Sequence, residues 1–251
     1  MSSAKRLRGR GPDRTIVRVG KLGSGGHRWR AFVVALVVTG LLVGFRVSIA
    51  SGSAAEAQDR CARFAAVSNA REAGVDGASG RAVLVIGDSW SVGLGLADPS
   101  RSWPAQLSGD QVRVDGFSGS GYAATASRCA GASFAQRARQ AARRDYDLVV
   151  VEGGLNDFDR PSAEVRSGVR AVLAAFEGTP VVLVGPASAP ARRRGVPRID
   201  ALLAAEAARA GARYVSTKDL ALAYLPDRLH LTPEGHQQFG EFVATAIARR
   251  P

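Results

Sequence analysis

The sequence is poor in the side chains that hold metal ions or stack on nucleic-acid bases. Its 251 residues include two cysteines and three histidines, and only 6% of them are aromatic. His230 and His236 flank a single turn and the third histidine, His27, lies near the N-terminus, so no spacing typical of a metal site appears. Base-stacking surfaces need aromatic side chains beside basic ones. We therefore expect no metal, no cofactor and no nucleic-acid partner.

Acidic residues are fewer than basic ones, and the imbalance is concentrated at one end of the chain. The sequence has 34 Lys and Arg against 22 Asp and Glu, a net charge of +12. Residues 1–30 hold nine of the basic residues and one acidic residue, so +8 of the charge lies there and +4 on the remaining 221 residues. A nucleic-acid-binding domain carries its basic stripe on the folded part. We interpret residues 1–30 as a basic cytoplasmic tail.

The apolar segment that follows this tail is shorter than a typical membrane span. Residues 31–45 form an uncharged run of 15 residues, whereas a bilayer takes about 20, but Arg30 and Arg46 can extend their side chains to the interfaces. Residues 31–50 are predicted to be either a transmembrane anchor or a signal segment cleaved near Ala50 or within residues 51–55. A buried core helix is disfavoured because it leaves the basic residues without partners. Since the positive residues stay inside, everything from about Ser51 is expected outside the membrane.

Export gives a meaning to the two cysteines. Cys61 and Cys129 are an even count in an oxidising compartment, so one disulfide between them is predicted. It ties residues 51–80, which we expect to form an extra helix and a linker, to the domain that follows. The alternative is two separate buried thiols.

Strand and helix signals alternate from residue 81 to the end. The strand candidates are residues 82–86, 112–114, 148–151, 181–184 and 212–215, of which three are continuous apolar runs. Alanine-rich helix patterns cover residues 132–144, 162–176 and 198–210, and Thr232 with Pro233 opens a last helix. The alternation predicts one α/β domain over residues 81–251, with a five-stranded parallel sheet between two helix layers. The arginines at 192–194 are interpreted as a solvent-exposed loop.

Three short motifs carry groups suited to acyl transfer. Gly87-Asp88-Ser89 and Gly154-Leu155-Asn156-Asp157 each follow a strand candidate, and Asp227-Arg228-Leu229-His230 precedes the last helix. Because ligands bind at the carboxyl ends of parallel strands, the first two motifs are expected at one edge. Their side chains supply a nucleophile, an amide donor, a base and a carboxylate to orient that base.

His230 is the most constrained of these assignments. His27 lies outside the domain and His236 lies within the last helix pattern, which leaves His230 as the base. Asp227, three residues earlier, can reach Nδ1 of His230 while Nε2 faces Ser89. The alternative role for His230 is to cap or pack at the helix start. Ser89 precedes a helix start, so its N–H and the helix dipole can face a developing negative charge.

The motifs and their order resemble those of the SGNH, or GDSL-type, hydrolases, over about residues 81–251. The resemblance implies a flavodoxin-like three-layer α/β/α fold without a cofactor. It also implies a Ser89, His230 and Asp227 triad, with an oxyanion hole formed by Ser89, Gly119 and Asn156. Gly119 is chosen from three nearby glycines, and Gly121 is the alternative. Asp88 and Asp157 are interpreted as structural supports that bond nearby backbone amides.

These expectations together predict an exported serine esterase that hydrolyses small acyl esters, such as acetyl esters, of a carbohydrate or lipid. It is expected at the cell membrane with its catalytic domain outside, or secreted after cleavage. One alternative is an O-acyltransferase that uses the same triad on an envelope glycan. A further alternative is a non-catalytic envelope-binding module. The sequence leaves the oligomeric state open.

Overall fold

The computed structural model describes residues 55–72 and 80–249, which belong to one unit that begins at Ala54. The predicted cytoplasmic tail, residues 1–30, and the predicted anchor or signal segment, residues 31–50, lie outside the described residues. Among the residues that are described, no helix is both long enough and apolar enough to cross a bilayer.

Five parallel strands form one sheet, as the sequence predicts. They are β1 (Ala82–Gly87), β2 (Gln111–Gly116), β3 (Leu148–Glu152), β4 (Val181–Val184) and β5 (Arg213–Val215). Their order in the sheet is β2-β1-β3-β4-β5, with every neighbouring pair parallel. This is the flavodoxin-like order, in which the connections reverse direction between β1 and β3 and ligands bind beyond the strand ends.

Helices cover both faces of the sheet. Their bounds are α1 (55–72), α2 (Ser89–Val92), α3 (Phe134–Ala141), α4 (Ser162–Ala175), α5 (Val196–Ala210) and α6 (Pro233–Ala248). Short 3₁₀ turns lie at Pro99–Arg101, Trp103–Gln106 and Leu155–Asp157. Thr232 caps α6 as predicted, because its Oγ1 accepts a 3.1 Å hydrogen bond from Gly235 N.

The alternation of side chains along β1 divides the core into two halves. Val83 and Val85 pack in one cluster with the apolar face of α6, whereas Leu84 and Ile86 pack in the other with α3, α4 and α5. All four side chains are at most 1% exposed. Continuous apolar runs such as this are what a strand covered on both faces requires.

The segment before the sheet is fastened to it covalently. Helix α1 carries Cys61, which forms a disulfide with Cys129 in the loop after β2, so the predicted bridge is present. Arg113 on β2 also pairs with Glu72 at the end of α1, and the rings of Phe64 and Phe117 meet edge to face with centroids 6.2 Å apart. These contacts join α1 to the edge of the sheet formed by β2.

Helix α2, whose start the sequence places after Ser89, is a single turn. It has four residues and ends at Gly93, whose φ of 84° is a left-handed conformation that favours glycine. One turn of helix sums few peptide dipoles, so the dipole contribution expected at Ser89 is small. What α2 does supply is a fixed direction for the Ser89 side chain at the end of β1.

Candidate active site

The structure brings Ser89, His230 and Asp227 into one hydrogen-bonded row. His230 Nε2 lies 3.1 Å from Ser89 Oγ, and His230 Nδ1 lies 2.5 Å from Asp227 Oδ2. Ser89 is 8% exposed, and the Asp227 side chain, at 48%, is much more exposed. The row therefore runs from the interior at Ser89 to the surface at Asp227. A neutral His230 with its proton on Nδ1 can accept the Ser89 proton in this geometry.

The turn from Asp227 to His230 is held by its own backbone. Asp227 Oδ1 accepts hydrogen bonds from Leu229 N at 2.9 Å and His230 N at 3.0 Å, while Arg228 adopts a φ of 59°. Burial alone raises the pKa of the Asp227 carboxyl, but the hydrogen bonds from His230 and Leu229 outweigh it and lower that pKa to about 2. Asp227 is thus a carboxylate at any pH near neutrality.

Trp90 connects the Ser89 side of the site to this turn. Its Nε1 donates a 3.1 Å hydrogen bond to the carbonyl oxygen of Leu229. The indole is 1% exposed and packs edge to face on Phe239 of α6, with ring centroids 5.3 Å apart. A buried Trp N–H needs an acceptor, and here that acceptor lies beside His230.

Asp88 shapes the start of α2. Its Oδ1 accepts a 2.9 Å hydrogen bond from Trp90 N, which is an N-cap, and its Oδ2 accepts one at 3.0 Å from Asn156 Nδ2. Burial raises the pKa of Asp88, and the positive charge of Arg192 opposes that rise. Asp88 therefore joins the start of α2, which carries Ser89, to Asn156 in the loop after β3.

Behind Ser89 lies a polar cluster of Ser91, Glu152 and Trp103. Ser91 Oγ donates to Glu152 Oε2 at 2.7 Å and accepts from Trp103 Nε1 at 3.0 Å. Burial raises the pKa of Glu152 well above its usual value, and repulsion from Asp88 adds to the rise. A Cβ on Gly87 would lie 1.9 Å from Ser91 Oγ, so only glycine fits in front of this cluster.

Gly119 and Gly121 differ sharply in their surroundings. Gly119 has a φ of +79° and a Cβ there would meet nothing within 4 Å, whereas a Cβ on Gly121 would lie 2.5 Å from Asp157 Oδ2. Within the described residues, the N–H of Gly119 donates to no protein acceptor. The N–H of Gly121 has no protein acceptor there either, so the two glycines differ in the space beside Cα, which is open at Gly119 and filled by Asp157 at Gly121.

Asn156 reaches across from the loop after β3. Its Nδ2 donates to Ser120 O at 2.8 Å as well as to Asp88 Oδ2 at 3.0 Å. Its Oδ1 accepts a 2.5 Å hydrogen bond from Arg192 Nη1. The structure therefore brings Asn156 next to both the Ser89 motif and the loop that carries Gly119.

Asp157 holds the loop after β2, which carries Gly119, through its buried side. Its two carboxylate oxygens accept hydrogen bonds from Tyr122 N at 3.0 Å and Ala123 N at 2.8 Å. The side chain is fully buried, and burial raises its pKa to about 7 despite the two amide donors. Within residues 55–72 and 80–249, no group of three or more His, Cys, Asp or Glu side chains is placed to hold a metal ion.

Two parts of this site have no counterpart in the sequence interpretation. Arg192 is half-buried and bonded to Asn156, whereas an exposed loop was expected; the neighbouring Arg193 and Arg194 are exposed as expected. Glu152 is a buried acid at the end of an otherwise apolar strand. That break in the apolar run was a signal in the sequence, but nothing there pointed to Ser91 as its partner.

Two solved structures with the same fold are esterases. A carbohydrate acetylesterase from Sinorhizobium meliloti has 20% sequence identity and a TM-score of 0.56, and the match covers 67% of this chain and 99% of that one. An aryl esterase from M. smegmatis has 17% identity and a TM-score of 0.52, over 66% of this chain and 97% of that one. At such identities the likeness establishes the fold alone. Among curated proteins, no sequence matches.

The sequence itself matches the model of the GDSL-like lipase/acylhydrolase family over residues 85–238, which is more than half of the chain. The matched span runs from β1 into α6 and so contains the Ser89, Asn156 and His230 motifs. The chain therefore belongs to the GDSL-like lipase/acylhydrolase family, whose members include SGNH hydrolases, and it is a carboxylic ester hydrolase.

Proposed function

We propose that the protein is an exported serine esterase in which Ser89 attacks small acyl esters of a carbohydrate or lipid. The observation that carries this proposal is the row of Ser89 Oγ, His230 Nε2 at 3.1 Å and Asp227 Oδ2 at 2.5 Å from His230 Nδ1. A serine hydroxyl is a weak nucleophile until a neighbouring base takes its proton, and this row supplies the base and the group that orients it.

In the first half-reaction, Ser89 Oγ bonds to the ester carbonyl carbon while its proton passes to His230 Nε2. The tetrahedral intermediate then collapses, the carbon–oxygen bond to the alcohol breaks, and His230 returns the proton to the departing alcohol oxygen. Water repeats the sequence on the acyl-enzyme, releasing the acid and restoring Ser89. Asp227 stays ionised throughout and stabilises the imidazolium, in keeping with its lowered pKa of about 2.

The negative charge that develops on the carbonyl oxygen needs donors that are already in place. We propose the N–H groups of Ser89 and Gly119 and the side-chain amide of Asn156. The open space beside Gly119 and the packing of Gly121 against Asp157 favour Gly119 over Gly121. Asn156 Nδ2 has two acceptors in the structure, so the substrate oxygen takes the place of one of them. Asp88 and Asp157 act as supports of these loops.

Export is proposed from the basic residues 1–30 and the apolar residues that follow them, and the disulfide adds to this argument. A disulfide between Cys61 and Cys129 is typical of proteins that reach an oxidising compartment. We propose that residues 1–30 are a cytoplasmic tail, that residues 31–50 anchor or export the chain, and that residues 51–80 lead into the hydrolase domain, residues 81–251.

The substrate class is proposed from the activities named for two structures of this fold. Two structures with this fold are an acetylxylan esterase from Geobacillus stearothermophilus and the carbohydrate acetylesterase from Sinorhizobium meliloti. We therefore propose acetylated carbohydrate as the first natural substrate to examine, with short-chain lipid esters as the second.

The test is hydrolysis of p-nitrophenyl esters of increasing acyl length, and release of acetate from acetylated xylan, by the full-length protein. Ser89→Ala and His230→Ala should each lower kcat by on the order of a thousandfold or more. Ser100→Ala, a change at an exposed serine, is the matched control and should leave kcat unchanged. A folded parent that releases acyl groups only when a sugar acceptor is added would contradict the hydrolase proposal in favour of a transferase.

A further inference from the structure

Arg192 belongs to a tight loop, residues 189–195, that lies between Asn156 and the turn carrying His230. Arg192 N donates to Ala189 O at 2.9 Å, and Gly195 N donates back to Arg192 O at 3.0 Å. Ala191 N donates to Arg228 O at 3.0 Å, which fastens this loop to the Asp227–His230 turn. The backbone around Arg192 is therefore fixed on both sides.

The guanidinium group of Arg192 points inward and not to solvent. Its Nη1 lies 2.5 Å from Asn156 Oδ1, and its Cζ lies 5.1 Å from the centroid of the Phe158 ring. A Cβ on Gly195 would lie 2.6 Å from Phe158 O, so the loop is packed closely against this residue. Burial lowers the pKa of the guanidinium, but an arginine remains charged. Arg193 and Arg194, next in the chain, are exposed.

The consequence for Asn156 follows from what each group can donate. An arginine has donors and no acceptor, so the atom that faces Arg192 must be the amide oxygen of Asn156. With Oδ1 held there, Nδ2 must face Asp88 and Ser120, on the side where Ser89 and Gly119 lie. The positive charge of Arg192 beside Oδ1 also polarises the amide and strengthens hydrogen-bond donation by its N–H groups.

We propose that Arg192 is a positioning residue that fixes the side-chain amide of Asn156 with its N–H groups toward the substrate oxygen and strengthens their donation. This inference rests on the proposed role of Asn156 in the oxyanion hole. Arg192 touches neither the Ser89 hydroxyl nor His230 in the structure, so its effect on the reaction passes through Asn156.

Kinetics of the full-length protein test this through Arg192→Ala, Asn156→Ala and the double variant, with Arg193→Ala as the matched control. Removing one oxyanion donor costs about a hundred- to a thousandfold in kcat, so Asn156→Ala sets the scale. Arg192→Ala should lower kcat roughly ten- to a hundredfold with KM nearly unchanged, because the donor remains but is no longer oriented. The double variant should be no slower than Asn156→Ala alone.

Two further measurements separate positioning from a general loss of structure. Added guanidinium should restore part of the activity of Arg192→Ala but none of that of Asn156→Ala. Arg192→Lys keeps the charge but not the planar guanidinium, and it should lie between the wild type and Arg192→Ala. A fully additive loss in the double variant, or an unchanged kcat in Arg192→Ala, would overturn the proposal.

A readout that needs no activity keeps this inference distinct from the proposed function. The side-chain amide signals of Asn156 in a ¹⁵N–¹H spectrum are identified by their loss in Asn156→Ala. They should move and exchange faster with solvent in Arg192→Ala and stay in place in Arg193→Ala. Unmoved signals would refute the role of Arg192 even in an active esterase. An inactive parent whose Asn156 signals do move would instead refute the proposed reaction while supporting the contact.

Discussion

Ser91 Oγ donates a 2.7 Å hydrogen bond to Glu152 Oε2, which joins α2 to the end of β3 directly behind Ser89. Both residues are at most 2% exposed. The raised pKa of Glu152 means that the pair favours a neutral acid, which has a proton to donate as well as an oxygen to accept with. The bond therefore holds the helix that carries Ser89 to the end of a central strand.

Glu152→Gln should be tolerated, and Glu152→Ala should not. Glutamine has the same shape and keeps an oxygen for Ser91, whereas alanine leaves the Ser91 hydroxyl without its acceptor and opens a cavity. We expect Glu152→Ala to lower the free energy of unfolding by about 2 to 4 kcal/mol. Urea denaturation of both variants beside the wild type measures this, and equal losses in the two would show that the charge matters more than the shape.

The two glycines of the loop after β2 should fail in different ways. Gly121→Ala pushes a methyl group against Asp157 Oδ2, so it should lower the free energy of unfolding by about 1 to 3 kcal/mol. Gly119→Ala has space but a positive φ, so it should cost about 1 kcal/mol and mainly reduce kcat. Melting temperatures and kcat are measured together. A normal kcat in Gly119→Ala would contradict this expectation and show that the alanine keeps the N–H in place despite the positive φ.

His236 should make stability depend on pH below neutrality. It is 1% exposed, and burial, aided by repulsion from His230, lowers its pKa to about 4. Between pH 6.5 and 4 His236 is protonated in the unfolded chain but neutral in the folded protein. The free energy of unfolding therefore falls as pH drops through this range. The contribution is on the order of 2 kcal/mol, and His236→Leu should remove it. Denaturation curves of the wild type and His236→Leu at pH 7 and pH 4.5 measure this. An equal fall in the free energy of unfolding of the two proteins would refute the role of His236.

Asp227→Asn should retain the fold and lose most of the activity. An asparagine can still accept the N–H groups of Leu229 and His230, but it cannot stabilise a charged imidazole. We expect kcat to fall by on the order of a thousandfold or more. Because the carboxyl is half exposed and its pKa is lowered, its contribution to stability is small, is present above about pH 4 and is lost toward pH 2. Activity and melting temperature at pH 7 separate the two effects, and parallel losses would contradict this account.

The disulfide should stabilise the domain by closing a long loop. Cys61 and Cys129 are 68 residues apart, and a bridge of that span contributes about 2 to 4 kcal/mol by restricting the unfolded chain. Cys61→Ser combined with Cys129→Ser should therefore melt at a lower temperature than the wild type. The reduced wild type serves as the control, since it should match the double variant. No change on reduction would show that α1 stays in place through its other contacts.

The sheet was predictable because three of its strands, β1, β3 and β4, are continuous or nearly continuous apolar runs in the sequence. All five predicted strands are present to within two residues at each end, and the pairing order follows the flavodoxin pattern that the resemblance implies. Helix ends were less predictable. Helix α3 spans Phe134–Ala141, whereas residues 132–144 were expected, because alanine and arginine continue beyond it without a strong stop signal.

Ser89, Asn156 and the Asp227–His230 turn were recognisable because each combines a chemical group with a position after a strand or before a helix. Arg192 was not, because a run of three arginines between prolines carries no period that says which one points inward. Its direction is set by Phe158 and Asn156, which are more than 30 residues away in sequence. Contacts of that kind depend on the assembled fold.

The Asp227–His230 turn is a self-contained unit, since its carboxylate, imidazole and the two amides that hold them lie within four residues. The orientation of the imidazole ring is thus set locally by Asp227, while its distance from Ser89 is set by the rest of the domain. Heating or a distant substitution should then change mainly one distance, that between Ser89 Oγ and His230 Nε2. Loss of activity ahead of unfolding should follow that distance, with the hydrogen bond between His230 and Asp227 still in place.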